Sequence, residues 1–470
     1  MDHLTTLDAG FLKVEDADRK VSLAIGGLAV IEGPAPDQAA LESMFARRMR
    51  ACPRLGQRLR RRPFDLGAPR WVPDPDFDIG RHVRRVGLPN PGADQELFRL
   101  TADIMARRLA RDRPLWEIWV IEGLADGRWA VLTKIHHCMA DGVAASHMLT
   151  GLCDPDFGAV SDSLVRHVRA AAEPERPGLL RALSTVTPLG VLGGLWNAST
   201  AIAAGAVSVV QGAAQIAVGM LRPTLSPLNG PIGDLRRYGG ARVPLADVEQ
   251  VCQTFDVTVN DVALAAITES FRNMLVGRGE LPRADSLRTL VPVSVRSTDA
   301  FGVTDNRVSL MLPYLPVDEE NPVKRLRAVH ARLGRTKAGG QREAGNAFVS
   351  IASGIPFALA GWAVGLLTRF PQHGVVTVAT NVPGPRRPLE IMGRRVLAVF
   401  PVPPIAMQLR TGVAILSYAD DLFFGILTDY DVVADVDQLA RGIETAVARL
   451  VAISKRRKAS RARRTLSLVV

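Results

Sequence analysis

The stretch Lys134-Ile135-His136-His137-Cys138-Met139-Ala140-Asp141-Gly142 decides how the rest of the chain is read. Two apolar runs of strand length precede it, Leu115 to Leu124 and Trp129 to Ile135. After it, Val143, Ser146, His147 and Leu149 begin a helical spacing. The paired histidines therefore stand where a strand ends, Asp141 in the turn, and Gly142 at the opening of a helix. Glycine suits so tight a turn because it has no side chain and a wide choice of dihedral angles. Histidine is the side chain whose ordinary pKa suits proton transfer near neutrality. A carboxylate four residues beyond the second histidine can orient the loop or the ring without itself being the base. A plainly structural His-His pair is the competing reading. A metal site fits poorly: adjacent histidines on a strand point to opposite faces, and no cysteine or carboxylate cluster nearby completes a coordination set. No metal is expected.

At 470 residues the chain has room for two domains of ordinary size, each with a sizeable core. Its 47% apolar and 22% charged residues describe a globular protein rather than a disordered or fibrous one. Cys52, Cys138, Cys153 and Cys252 have no pairing or zinc-like spacing and read as reduced thiols of a cytosolic protein. The first twenty residues lack a basic region followed by an apolar one, so no signal peptide is expected. A net charge of +11 calls for an anionic partner: nucleic acid, an anionic membrane surface, or a phosphate-rich cosubstrate such as coenzyme A. The basic clusters, Arg47-Arg48 with Arg58 to Arg62 and Lys455 to Arg464, are not interleaved with aromatics. No DNA-binding motif is present either, so nucleic acid is not an expected partner.

The pattern His136-His137-x-x-x-Asp141-Gly142 is HHxxxDG, and with it the chain resembles the acyltransferase superfamily that includes chloramphenicol acetyltransferase and peptide-synthetase condensation domains. Further motifs narrow the resemblance: LDAGFL (7–12), GGLAVIEG (26–33), WVPDPDFD (71–78), RPLWE (113–117), HHCMADG (136–142), VNDVALA (259–265) and NVPGP (381–385), in that order. Together they closely resemble the bacterial wax ester synthase/diacylglycerol acyltransferase family, from about residue 4 to residue 452. Two departures stand out. Ala24 occupies a position where many members have histidine, and Asp305-Asn306 stands where the family has Gly-Asn.

The resemblance implies an α/β fold of two chloramphenicol-acetyltransferase-like mixed-sheet halves with an active-site channel between them. The sequence divides accordingly into 1–176, an apolar crossover at 177–230, a second half at 231–454 and a basic tail at 455–470. From Arg181 to Arg222 no residue between the two is charged. Its Ala, Gly, Ser, Thr and Val content favours a helix packed between domains or against lipid over a bilayer span. A second uncharged stretch, Ala347 to Thr368, reads the same way. Helices are expected from Asp37 (Leu41, Met44, Phe45, Met49), around Leu97 to Leu109, over Leu245 to Phe255, from the Asn260-Asp261 pair to Leu275, and over Asp435 to Ile453. Asn260 or Asp261 is placed to cap its helix. Residues 71–78 read as loop and the tail as solvated and disordered.

For chemistry, the resemblance implies transfer of a long-chain acyl group from acyl-CoA, a cosubstrate rather than a cofactor, to diacylglycerol or a long-chain alcohol. His137 would be the general base, His136 would shape the site, and Asp141 and Gly142 would hold the loop. Pro114, Leu115 and Trp116 would form the lipid pocket or its wall, although Trp116 can equally be core. Asn260, Asp261 and Arg296 would support the site, Arg296 by pairing with Asp141. Cys138, beside the base, offers a conceivable ping-pong route. A carrier-protein-dependent transferase and a non-catalytic lipid-binding protein are the other readings. The expected setting is cytoplasmic, peripheral to the inner face of the plasma membrane or to lipid droplets.

Overall fold

Among the described residues, apolar strands and amphipathic helices assemble into two six-stranded mixed sheets and a two-stranded hairpin, with the helices whose bounds follow. The computed structural model describes residues 3–4, 6–49, 52–61, 68–140, 146, 150–154, 226, 228–294, 308–338, 375–406, 408–431 and 436–467. The expected segments 182–221 and 347–368 lie outside the described residues, as do Asp141, Gly142 and Arg296.

The first sheet contains β1 (Ala24–Ile31), β4 (Val83–Gly87), β5 (Trp116–Glu122) and β6 (Trp129–His136), joined by β11 (Glu390–Ile391) and β12 (Arg394–Val402). Their spatial order is β11-β12-β1-β6-β5-β4. All eight residues of β6 are buried, because β1 and β5 pair antiparallel on either side of it. Helices α1 (Thr6–Ala17), α2 (Gln38–Met49) and α3 (Asp94–Ala106) accompany this sheet, and β2 (Gln57–Arg60) pairs with β3 (Arg70–Pro73) as the hairpin. The start of the 71–78 stretch is thus strand rather than loop.

The second sheet contains β7 (Arg236–Pro244), β8 (Thr289–Ser294), β9 (Val308–Met311), β10 (Thr377–Val382), β13 (Thr411–Tyr418) and β14 (Asp421–Asp429), in the order β7-β14-β13-β10-β8-β9. Its helices are α4 (Leu245–Phe255), α5 (Val259–Gly277), α6 (Pro322–Ala338) and α7 (Val436–Ser467). A mixed α/β fold of two sheet-containing halves is what the sequence led us to expect.

Three local features differ from the sequence reading. Helix α1 went unrecognised: its inward face is Ala9, Leu12 and Glu15, and a carboxylate at the third position breaks the apolar pattern. The N-cap residue of helix α5 is Thr258, with Asp261 as its reciprocal capping partner. Thr258 Oγ1 accepts the Asp261 N–H at 3.2 Å, and Asp261 Oδ2 accepts the Thr258 N–H at 2.8 Å, a reciprocal capping box. The basic tail is helical through Ser467, since its Ala, Lys and Arg residues are good helix formers continuing a helix already nucleated.

The halves meet through β12, which comes late in the chain but lies in the first sheet. Tyr238 on β7 donates its hydroxyl to the Pro401 carbonyl at 3.0 Å. Phe400 lies edge-on to Phe98 and Phe423, with centroids 5.4 and 5.1 Å apart. Beyond β12, Ile405 forms an antiparallel bridge with Ser22, and Arg236 donates to the Lys20 carbonyl. The start of β1 therefore lies at the seam between the two halves.

Candidate active site

β6 delivers the histidine pair to that seam. His136 is its last residue and donates its N–H to the Leu115 carbonyl at 2.9 Å. The chain then turns: His137 donates its N–H to the Leu23 carbonyl at 3.0 Å, and Met139 donates back to the His136 carbonyl at 2.8 Å. Further along, Ser146 and Thr150 are helical, and Thr150 Oγ1 donates to the Ser146 carbonyl at 2.9 Å. The two rings are separated by this geometry. His136 is fully buried, whereas His137 is half-buried and stacks on Phe11 at 4.3 Å between centroids.

Around His136 lies a buried network. Its Nδ1 accepts the Cys138 N–H at 3.1 Å, so that nitrogen carries no proton and the neutral ring holds its proton on Nε2. Nε2 faces Glu15 Oε2 at 3.5 Å. Glu15 is 1% exposed, accepts the Leu23 N–H at 3.0 Å through Oε1, and is paired with Arg111 through Oε2. Burial by itself would raise the pKa of Glu15. The His136 ring, Arg111 and the Leu23 N–H outweigh it and draw the carboxyl down to about 2. Burial lowers the pKa of His136 despite the attraction of Glu15, in keeping with a neutral ring. Burial likewise raises the pKa of the Cys138 thiol, so little thiolate exists near neutrality.

Phe11 and Glu15 are one turn apart on α1 and meet the two histidines in order, Phe11 on His137 and Glu15 on His136. The sequence reading missed both, together with Arg111. The signal was present, for Phe11 and Glu15 lie four apart beside LDAGFL, but it is legible only once that segment is read as helix.

Of the other expected site residues, Leu115 and Trp116 adjoin the pair. Leu115 and Trp116 are buried in the first core, with Trp116 opposite Ile135 in the sheet. Trp116 donates Nε1–H to the Leu55 carbonyl at 2.8 Å and stacks on His82 at 4.3 Å. Pro114 is buried and accepts the Trp116 N–H at 2.9 Å. These three support β6 through backbone and core contacts. Asn260 and Asp261 lie at the start of α5 in the other half. Asn260 Oδ1 faces Asn381 Nδ2 at 3.5 Å, joining VNDVALA to NVPGP, and Asp261 Oδ2 also accepts from His330 Nδ1 at 2.8 Å. Among the described residues no group of three or more His, Cys, Asp or Glu could hold a metal ion.

Comparison with known proteins places this geometry. The wax ester synthase/diacylglycerol acyltransferase catalytic domain profile matches residues 4–263, and the family's C-terminal domain profile matches residues 304–450. The chain is 67% identical over 470 residues to the probable diacylglycerol O-acyltransferase tgs1 of Mycobacterium tuberculosis, covering 100% of both chains. The solved wax ester synthase/diacylglycerol acyltransferase from Marinobacter aquaeolei VT8 superimposes with a TM-score of 0.66 at 26% identity, covering 97% of this chain and 100% of that one. The first condensation domain of the calcium-dependent antibiotic synthetase shares the fold, with a TM-score of 0.58 at 15% identity over 97% of this chain and 96% of that one. The buried His136 and stacked His137 thus sit in a chain whose two halves both match one family: it belongs to the wax ester synthase/diacylglycerol acyltransferase family.

Proposed function

We propose that this acyltransferase moves a long-chain acyl group from acyl-CoA to diacylglycerol, making triacylglycerol, with His137 as general base. The observation that carries the reading is an intact His136-His137 turn in a chain 67% identical, end to end, to one named a probable diacylglycerol O-acyltransferase. Nε2 or Nδ1 of His137 takes the proton of the acceptor hydroxyl as its oxygen attacks the thioester carbon. The C–O bond forms, the C–S bond breaks, and coenzyme A leaves as a thiolate that collects the proton from the imidazolium. The thiolate is a fair leaving group because thiols ionise near pH ~8.5. A direct transfer needs no enzyme nucleophile, and the buried, protonated Cys138 is poorly suited to being one.

In this reading Asp141 and Gly142 hold the turn, with Arg296 paired to Asp141. Pro114, Leu115 and Trp116 form the wall of the lipid pocket behind β6, and Asn260 and Asp261 brace the opposite half. Substrates meet between the halves, where the Leu23 carbonyl holds His137 beside the Ser22–Ile405 bridge. Acyl-CoA is a cosubstrate and no cofactor takes part. The enzyme works in the cytoplasm, peripherally on the inner membrane face or on lipid droplets. Lys455, Arg456, Arg457 and Lys458 are exposed on α7 and suit an anionic surface. Among the described residues no helix is long and apolar enough to cross a membrane.

Labelled palmitoyl-CoA supplied with diolein and hexadecanol, without any carrier protein, tests the proposal. Triacylglycerol is expected from the wild type, with turnover about 10²–10⁴-fold lower in a folded His137→Ala variant. Near-normal turnover in that variant would remove His137 as base. Product mainly as wax ester would keep the mechanism and replace the acceptor, and a requirement for carrier-bound acyl groups would replace the donor.

A further inference from the structure

We infer that Glu15 is a positioning residue for the proposed transfer, fixing the proton of His136 on Nε2 and thereby the turn that presents His137. The inference rests on the reading of His137 as base and adds a residue to it. Its carboxylate acts by two routes. Through Oε2 it faces His136 Nε2, leaving Nδ1 to accept the Cys138 N–H at 3.1 Å and so tie down the residue following His137. Through Oε1 it accepts the Leu23 N–H at 3.0 Å, and the Leu23 carbonyl in turn accepts the His137 N–H at 3.0 Å. The residues on both sides of the Leu23–His137 hydrogen bond are thus held by one buried carboxylate. A proton on His136 Nδ1 would abolish the bond from Cys138 and set two N–H groups against each other. Both routes run through backbone position, one to Cys138 and one to Leu23.

Glu15→Gln keeps the shape, but its single amide oxygen cannot serve both Leu23 and His136: with the oxygen on the Leu23 N–H, the amide NH2 faces Nε2 and can only donate, so the Nε2-protonated tautomer loses its acceptor. Asp16 Oδ1, 3.6 Å from Arg111 Nη2, leaves that guanidinium with a partner in the variant. The kcat per folded molecule should fall about 10- to 100-fold, with KM for palmitoyl-CoA and diolein changed less than about twofold. His136→Asn supplies an amide oxygen near the position of Nδ1, which can accept from Cys138 whatever Glu15 carries. In that background, adding Glu15→Gln should change kcat less than about twofold. A Glu15→Gln enzyme with unchanged kcat per folded molecule, or fully additive losses in the double variant, would overturn the inference.

A readout independent of turnover is the 15N spectrum of histidine-labelled protein. The wild type should show His136 protonated at Nε2 alone, and Glu15→Gln should lose that single state. An unchanged His136 signal in the variant would overturn the inference as well. If the wild type transfers no acyl group to diolein, the proposed reaction fails, and the spectrum still decides whether Glu15 sets the tautomer.

Discussion

Lys134, two residues before the histidine pair, has its ammonium buried beneath the sheet, where it donates to the carbonyls of Ile104 (2.7 Å) and Arg107 at the end of α3. It adds a donor at the helix C-terminus, where the Ile104 carbonyl also accepts the Arg107 N–H at 3.3 Å. Burial lowers its pKa to about 8 against the pull of Glu117 and Glu15. The unfolded chain holds this proton up to the ordinary lysine range, so stability should climb as pH rises from about 8 to about 10.5, by up to about 3 kcal/mol. Urea unfolding at pH 8 and pH 10 should show that gain in the wild type and a smaller one in Lys134→Met; equal gains would refute the assignment. Glu15 acts in the same direction at lower pH. Its folded pKa of about 2 lies below the unfolded value, so its contribution is present above about pH 4.5 and lost as pH falls towards 2. Acid unfolding of Glu15→Gln should lack that component, about 3 kcal/mol at most. Identical acid profiles for the two proteins would contradict it.

Elements are joined here by close approach as much as by hydrogen bonding. A Cβ at Gly425 on β14 would lie 1.6 Å from the Pro401 carbonyl oxygen on β12, a backbone atom that cannot rotate away. Gly425→Ala must therefore push the two sheets apart, at a cost of at least about 1–3 kcal/mol, visible as a lower urea midpoint. A midpoint equal to wild type would mean the sheets do not meet there. Three helices of the second half converge on another fixed point. Glu269 on α5 pairs with Arg325 on α6 and with Arg449 on α7, the latter at 2.9 Å. Arg325 is 2% exposed, so Glu269→Ala would strand a buried guanidinium and should cost about 3–5 kcal/mol. That cost should appear as unfolding of the second half, followed through the environment of its own Tyr314. The ND motif contributes to the same assembly: Asp261 completes the Thr258 cap while accepting from His330 on α6.

At the scale of the molecule, sheet and sequence do not run in parallel. Two strands that follow most of the second half in the chain, β11 and β12, complete the first sheet, and Asp154 after the histidine motif accepts the Gly393 N–H at 2.8 Å between them. Neither half can be closed without the other, and the seam so formed lies beside His137. At the basic end of α7, Lys455 to Ser460 are exposed. If it provides the proposed surface contact, removing residues 455–470 should weaken sedimentation with anionic vesicles, at roughly 1 kcal/mol per basic residue at the surface, while activity in detergent persists. Unaltered vesicle binding would assign membrane contact to another part of the chain.

Much of this protein was legible before any coordinates. The strands flanking the histidines, the helices over 245–255 and 259–277, and the family itself follow from local periodicity and from motifs whose residues are adjacent in the chain. These are properties that neighbouring residues determine among themselves. What only the tertiary structure decided is long-range. That β12 belongs to the first sheet depends on which edge is free to pair, which no local pattern records. That the first histidine lies buried against Glu15, itself paired with Arg111, depends on residues 121 and 25 positions away in the sequence. A carboxylate on an otherwise apolar helix face reads locally as an interruption of the pattern. Only when the fold sets it against a buried imidazole and a guanidinium does its charge become the reason the site holds its shape.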